Sequence, residues 1–361
     1  MSDAAARTLD QLRLIRTAGI GPVTYRQLIA RFGDAATAID ALPTLAARGG
    51  GRAPRIADLP VVQREIAATA KLGARYLFLG DPDYPRLLAE TDSAPPALIW
   101  RGDLTLAQRS CIAIVGARNA SAAACRFARQ LAHDLAGGAT IVSGLARGID
   151  TAAHVGSLGG GTIGVIASGI DVVFPPENAE LQERIAREGL LLAEQPPGTE
   201  PRARHFPYRN RIIAGLSLGT VVVEAVPRSG SLITARLAGE MGREVMAVPG
   251  SPLDPRAQGC NLLIREGATL VQGAADILEQ IRPIDARAVR APLDSFAGPP
   301  PEDASDTDRR TLLALLGPVP VPIDELIRQS HLLPAVVQTV LLELELAGRL
   351  ERHAGGRVGL G

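Results

Sequence analysis

The chain has 361 residues, 46% of them hydrophobic, with 38 glycines and 38 basic side chains set against 38 acidic ones. That length allows two or three domains and that apolar content fits a well-buried α/β core, while a net charge of zero points to no partner, so only local clusters of charge can. Three scattered cysteines, Cys111, Cys125 and Cys260, argue against a disulfide framework and a cysteine-zinc site and for a reducing compartment. No apolar run approaches the ~20 residues of a membrane span. Met1-Ser2-Asp3-Ala4 lacks a signal pattern, so a cytoplasmic location is expected.

Residues 1–80 read as short helices forming a SAM-like, helix-hairpin-helix domain. Leu9, Leu12, Leu14 and Ile15 lead into Gly19-Ile20-Gly21-Pro22, and Val23, Tyr25, Leu28 and Ile29 follow. The glycines permit a tight turn whose N–H groups can face a DNA phosphate; a small bundle that merely packs is the other reading. Gly49-Gly50-Gly51 reads as an exposed loop, and the lone Trp100 as a packing residue.

Residues 81–283 form the second expected domain. Ile112–Val115, Thr140–Ser143, Thr162–Ala167, Leu190–Ala193, Thr220–Val223, Val245–Val248 and Thr269–Val271 are short apolar runs separated by helical segments. Such runs mean a parallel sheet covered on both faces, a doubly wound Rossmann-like α/β fold. Ligands of these sheets sit beyond the carboxyl ends of the strands, so the loops there carry the functional argument.

Residues 284–306, rich in Pro, Asp, Ala and Gly, read as a linker, and 307–361 as three helices and a β-hairpin, a winged helix. Its third helix carries Glu343 and Glu345 with no basic residue before Arg349, whereas a recognition helix brings cations to the groove. A protein contact or a structural role is the competing reading.

Five strand-end loops stand out. In the first, Gly116 lets backbone approach a ligand, Arg118 projects a charged fork and Ser121 caps the next helix. In the second, Ser143, Gly144 and Gly148 leave amides open around Arg147, Asp150 is placed to cap the following helix, and His154 is a hydrogen-bonding residue before it is a catalyst. Ser168 to Pro176 shapes a rim. In the fourth, Arg209-Asn210-Arg211 reads as the first turn of a helix, after Arg202, Arg204, His205 and Phe206-Pro207-Tyr208; a helix N-terminus favours anions. In the fifth, Ser229-Gly230-Ser231 with Thr234 forms a cradle of hydroxyls and amides. Each loop alone reads equally as a capped turn; five on one edge indicate a polyanion site. The sequence has no Walker lysine, GxSxG elbow or metal-ligand cluster, and Glu224 is the best single candidate for catalysis.

Gly116-Ala117-Arg118, Ser143 to Asp150, Phe206 to Ser217, Ser229 to Ala235 and Val248-Pro249-Gly250, in that order, resemble the DNA-processing protein A family across the whole sheet domain. The resemblance implies a non-enzymatic homodimer without cofactor or metal. It would bind and protect single-stranded DNA entering during natural transformation and load the recombinase RecA onto it. Arg118, Arg147, Asn210 and Arg211 are then the leading DNA contacts, with Phe206 and Tyr208 as possible stacking faces, Tyr208 equally packing under its helix. Gly259 to Ile264 also matches a family segment, and Leu262, Leu263, Ile264 and Leu270 are assigned to self-association, with core burial as the alternative. The competing function is a nucleotide-processing hydrolase of the lysine-decarboxylase-like Rossmann group, which the missing catalytic Glu beside Ser229–Ala235 disfavours. A duplex-DNA regulator acting through the winged helix is disfavoured by the acidic third helix.

Overall fold

A computed structural model of the chain describes residues 3–288, 303–353 and 355–361, with side chains not described at 282–288. It divides into two compact units, residues 67–292 and residues 1–66 with 293–361.

The N-terminal helices are α1 (Asp3–Arg16), α2 (Pro22–Phe32), α3 (Ala35–Arg48) and α4 (Leu59–Lys71). Pro22 opens α2, where its missing N–H costs nothing, and Gly19 takes a φ of 82° in the turn before it. Asp34 caps α3 by accepting from Thr37 N at 2.8 Å. Leu14, Tyr25, Leu28, Ile39, Leu42 and Leu45 close the core of this helix-hairpin-helix domain.

The other unit is built on one sheet. Its strands are β1 (Arg75–Phe78), β2 (Ala97–Gly102), β3 (Cys111–Gly116), β4 (Thr140–Ser143), β5 (Thr162–Gly169), β6 (Leu190–Gln195), β7 (Gly219–Val223), β8 (Glu244–Ala247) and β9 (Thr269–Leu270), in the order β1-β2-β6-β5-β4-β3-β7-β8-β9. All pairs from β6 to β9 are parallel; β2 runs antiparallel to β6 and to β1. Trp100 on β2 is half-buried against the core, with the Arg75 guanidinium 5.5 Å from its ring centroid.

The intervening helices are α5 (Arg86–Ala89), α6 (Ala122–Leu135), α7 (Ile149–Ser157), α8 (Ala179–Glu188), α9 (His205–Leu216), α10 (Gly230–Glu240), α11 (Gln258–Arg265) and α12 (Ala274–Ala288). Alternation along β3 sends Ile112 and Ile114 to the core with α6 and α7, and Ala113 and Val115 to the core with α9 and α10. Both faces are therefore covered. The chain steps from β3 through β4 and β5 to β6 on one side, then returns to place β7 on the other side of β3. The carboxyl ends of β3 and β7 flank this reversal, where a wound sheet opens a crevice.

The linker expected at 284–306 falls mostly outside the described residues. On its near side α12 runs through Pro283 to Ala288, a course that the proline's fixed φ of about −65° permits although its ring disfavours a helix interior. Beyond it lie α13 (Asp306–Leu315), α14 (Ile323–Ser330) and α15 (Pro334–Leu346), with strands β10 (Val321–Pro322), β11 (Leu350–His353) and β12 (Arg357–Leu360) ordered β10-β12-β11. This is a winged helix, entered through a reciprocal capping box between Ser305 and Asp308. The reading of Gly49-Gly50-Gly51 as exposed is corrected at Gly49, which is buried beneath Glu343 and Ala347 of the winged helix.

Candidate nucleic-acid interface

Gly116 lets β3 and β7 close tightly at the base of the crevice: a Cβ there would sit 2.0 Å from the Val223 carbonyl oxygen. Glu224, at the end of β7 and in the left-handed region at φ 57°, staples the loop that follows β3. Its carbonyl accepts from Ala117 N at 2.7 Å and its carboxylate from Ser121 N at 2.6 Å. The best catalytic candidate is thus engaged as a scaffold for the segment that carries Arg118. Ser121 caps α6, accepting from Ala124 N at 3.1 Å, and lines a separate 260 Å³ cavity with Glu224.

At the end of β4, Asp150 departs from its expected role. The α7 cap position is Gly148, and the Asp150 carboxylate turns back to accept from Gly144 N at 3.1 Å and Ala146 N at 3.4 Å. It also meets Arg209 at 3.9 Å, both side chains being 7% exposed. Burial pushes the Asp150 carboxyl above the usual carboxylate range, against the pull of Arg209 and the two amides, and lowers the Arg209 guanidinium from its ordinary value. Gly144 makes room for that guanidinium: a Cβ there would overlap Arg209 Nη1. Arg209 Nε is buried without a hydrogen-bond partner. His154 lies in the core with Nδ1 at 2.7 Å from Thr162 Oγ1, and burial holds its imidazole down at about 3.

Helix α9 begins at His205, so Arg209, Asn210 and Arg211 fall in its second turn and are buried. The expectation that Arg209, Asn210 and Arg211 form the first turn of a helix is corrected: the exposed cations at that start are Arg202 and Arg204, just before the helix. Arg211 donates to the Ser93 carbonyl and pairs with Glu194 of β6, away from the crevice. Asn210 Nδ2 donates to the Gly230 carbonyl at 3.3 Å, tying α9 to the start of α10. The physical reason is that α9 is sheathed by the core on nearly every side, and a buried guanidinium must be paired.

Two cavities adjoin at the strand ends. One, of about 310 Å³, has Gly144, Arg147, Ile166, Phe174 and Pro175 in its walls; the other, of about 600 Å³, has Gly116, Asn210, Ser229, Gly230, Ser231 and Thr234. Arg118, Asn119, Ala146, Phe206 and Arg209 belong to both. Arg118 lies over the Phe206 ring, and Phe206 meets Phe174 at 5.9 Å between centroids. Ser229 Oγ accepts from Ser231 N and caps α10, so the cradle sits at a true helix N-terminus. The structure thus gathers Gly116, Arg118, Gly144, Arg147, Phe206, Arg209, Asn210, Ser229, Gly230, Ser231 and Thr234 around one opening. Ser121 and Arg211 lie elsewhere, and Ser143 is buried, donating to the Ile114 carbonyl at 2.6 Å. Tyr208 is 56% exposed, which removes the reading that packs it under α9.

Residues 75–282 match the family of the DNA recombination-mediator protein A, residues 5–68 its helix-hairpin-helix N-terminal domain and residues 297–356 its winged helix domain. The chain belongs to this family. Protein Smf of Synechocystis is 35% identical over 94% of this chain and 95% of its own. DNA processing protein DprA of Streptococcus pneumoniae is 47% identical over 55% of this chain and 72% of its own. The solved structure of the S. pneumoniae protein superposes with a TM-score of 0.64 at 36% identity, covering 76% of this chain and 98% of that one. A structure of DNA processing protein A from Helicobacter pylori, described for its single-stranded DNA binding mode, gives 0.52 at 29% identity, covering 57% and 95%.

Arg256 and Asn119 are wall residues that sequence reasoning missed. Arg256 follows β8, pairs with Asp254 at 2.9 Å and stands 3.9 Å from Glu224. The signal was the charged Asp254-Pro255-Arg256 turn after an apolar run. Of the proposed self-association residues, Leu263 and Ile264 pack half-buried on the sheet core, Leu262 is half-buried, and Leu270 is exposed on the edge strand β9. Among the described residues no group of His, Cys, Asp and Glu is placed to hold a metal ion, and no helix is long and apolar enough to cross a membrane.

Proposed function

We propose that the paired cavities grip single-stranded DNA and leave its bonds intact, and that the chain, as a cytoplasmic homodimer, protects incoming strands during natural transformation and loads RecA onto them. The observation that carries the reading is the convergence of Arg118, Arg147, Arg209 and the Ser229–Ser231 cradle on one opening at the sheet reversal. Guanidinium groups and helix-start amides bind phosphate, and the Phe206 and Phe174 rings offer bases a stacking surface without reading their edges. Family membership and the H. pylori relative's single-stranded DNA binding mode support the same reading. RecA loading follows the family resemblance, and self-association is assigned to Leu262, Leu263, Ile264 and Leu270.

The deciding experiment is fluorescence anisotropy with an oligonucleotide and its duplex, for the parent and Arg118→Ala. Preference for the single strand, weakened several-fold by the substitution on every sequence, is the expected result. Equal affinity of parent and variant overturns the site assignment. RecA filament growth on single strands precoated with a binding protein tests the loading step, and sedimentation of Ile264→Glu tests the dimer.

A further inference from the structure

The third helix of a winged helix is the element that ordinarily enters a duplex groove. Here it is closed on both long faces, and Pro334 alone of its thirteen residues is exposed. Val336, Val337, Val340, Leu341 and Leu344 of α15 pack into the tail's own core. Leu342 and Leu346, one turn apart, belong instead to the core of the N-terminal helices, beside Tyr25, Leu28 and Leu42. A helix with apolar residues on both faces is one built to be buried.

Polar contacts fasten the same face. Gln27 Nε2 donates to Gln338 Oε1 at 2.8 Å and Arg31 Nη1 to Thr339 Oγ1 at 3.2 Å. Arg31 and Arg48 both pair with Asp303, ahead of α13. Glu343, fully buried, is held within the tail by Arg309 of α13 through bonds of 2.7 and 2.9 Å, and across the contact Arg48 of α3 stands 4.0 Å from it. Where α15 ends, backbone meets backbone: a Cβ on Gly49 would lie 2.1 Å from the Glu343 carbonyl oxygen, and one on Gly51 2.3 Å from that of Ala347. Arg349 Nη1 donates to the Gly49 carbonyl at 3.1 Å. Glu343 and Glu345 also have the wrong sign for a phosphate groove.

We propose that the C-terminal winged helix is an intramolecular clasp. Its third helix docks on the α2–α3 pair of its own chain, and it is a protein-binding element that does not read duplex DNA. The occupant of the α2–α3 groove is the tail helix itself, through Leu342 and Leu346.

The test uses the full chain carrying Gly49→Val and Gly51→Val, which wedge the contact without altering a side chain of either core. Amide hydrogen exchange is expected to quicken about tenfold together in residues 38–48 and 338–346 while β3 to β7 keep their protection, and duplex affinity is expected to stay at the parent's level. Unchanged exchange in those two segments overturns the clasp. A tenfold gain in duplex affinity on opening overturns the protein-binding role and makes the helix a sheltered DNA reader. Should the wedge unfold α3, Arg31→Glu serves instead: exchange is expected to rise, and to return towards the parent's in Arg31→Glu/Asp303→Arg. No rise with Arg31→Glu counts against the proposal.

Discussion

The Arg118 guanidinium lies 5.2 Å from the centroid of the Phe206 ring, so the cation of the β3 loop and the aromatic of α9 form one surface over both cavities. A cation over a ring contributes roughly 0.5–1 kcal/mol at an exposed site, and a base stacked on an aromatic about 1–3 kcal/mol. Arg118→Ala and Phe206→Ala should each weaken oligonucleotide binding. The double variant should lose less than the two losses added together, by about 0.5–1 kcal/mol. An anisotropy titration of all four proteins measures the difference, and strict additivity would show that the pair does not act as a unit.

Two arginines that look alike in the sequence should separate in experiment. Arg147 pairs with Glu177 where both side chains are more than half exposed, a contact of roughly 0–1 kcal/mol that a phosphate can replace. Arg147→Ala should leave the melting temperature nearly unchanged and make the log–log salt slope of single-strand binding shallower by about 0.7. Arg211 is 9% exposed and its loss strands Glu194 in the protein. Arg211→Ala should cost about 3 kcal/mol of stability and leave the salt slope as it was. Urea unfolding beside salt titrations resolves the two.

The sheet and its loops were legible because near-continuous apolar runs leave a chain few other folds, and because glycine and arginine recur where those runs end. What each arginine does was not legible. Arg118, Arg209 and Arg211 have the same chemistry, and which one faces solvent depends on where α9 begins and on acids distant in sequence, Asp150 and Glu194. Periodicity placed the helix start four residues late, since His205 to Tyr208 mix polar, aromatic and proline residues without an apolar stripe. Gly49 looked like loop punctuation because the helix that buries it comes nearly 300 residues later.

His154 supplies a pH dependence of known sign. Its folded value of about 3 lies below the ordinary 6.5 because burial disfavours the imidazolium, so the unfolded chain takes up a proton that the folded chain does not. The stability this group contributes is complete above pH 6.5 and is lost as pH falls towards 3. Between pH 6.5 and 5 the loss should approach about 1.4 kcal/mol per unit. His154→Gln should flatten that portion of the curve, as read from urea midpoints across the window. An unchanged slope would mean that the ring takes up a proton inside the fold.

Glu224 separates binding from catalysis. Its carboxylate receives Ser121 N and its backbone sits at φ 57°, so the side chain stabilises the loop while the backbone is strained. Glu224→Ala loses a hydrogen bond to a charged acceptor, about 1.5–3 kcal/mol, and keeps the strain. Glu224→Gly loses the same bond and relieves about 1 kcal/mol of it. Stability should therefore fall in the order parent, Gly variant, Ala variant. Both variants should bind oligonucleotide more weakly, because the stapled loop carries Arg118. Base release from nucleoside monophosphates should be absent in all three proteins. Turnover by the parent that both variants lose would instead assign Glu224 a catalytic role and favour the hydrolase.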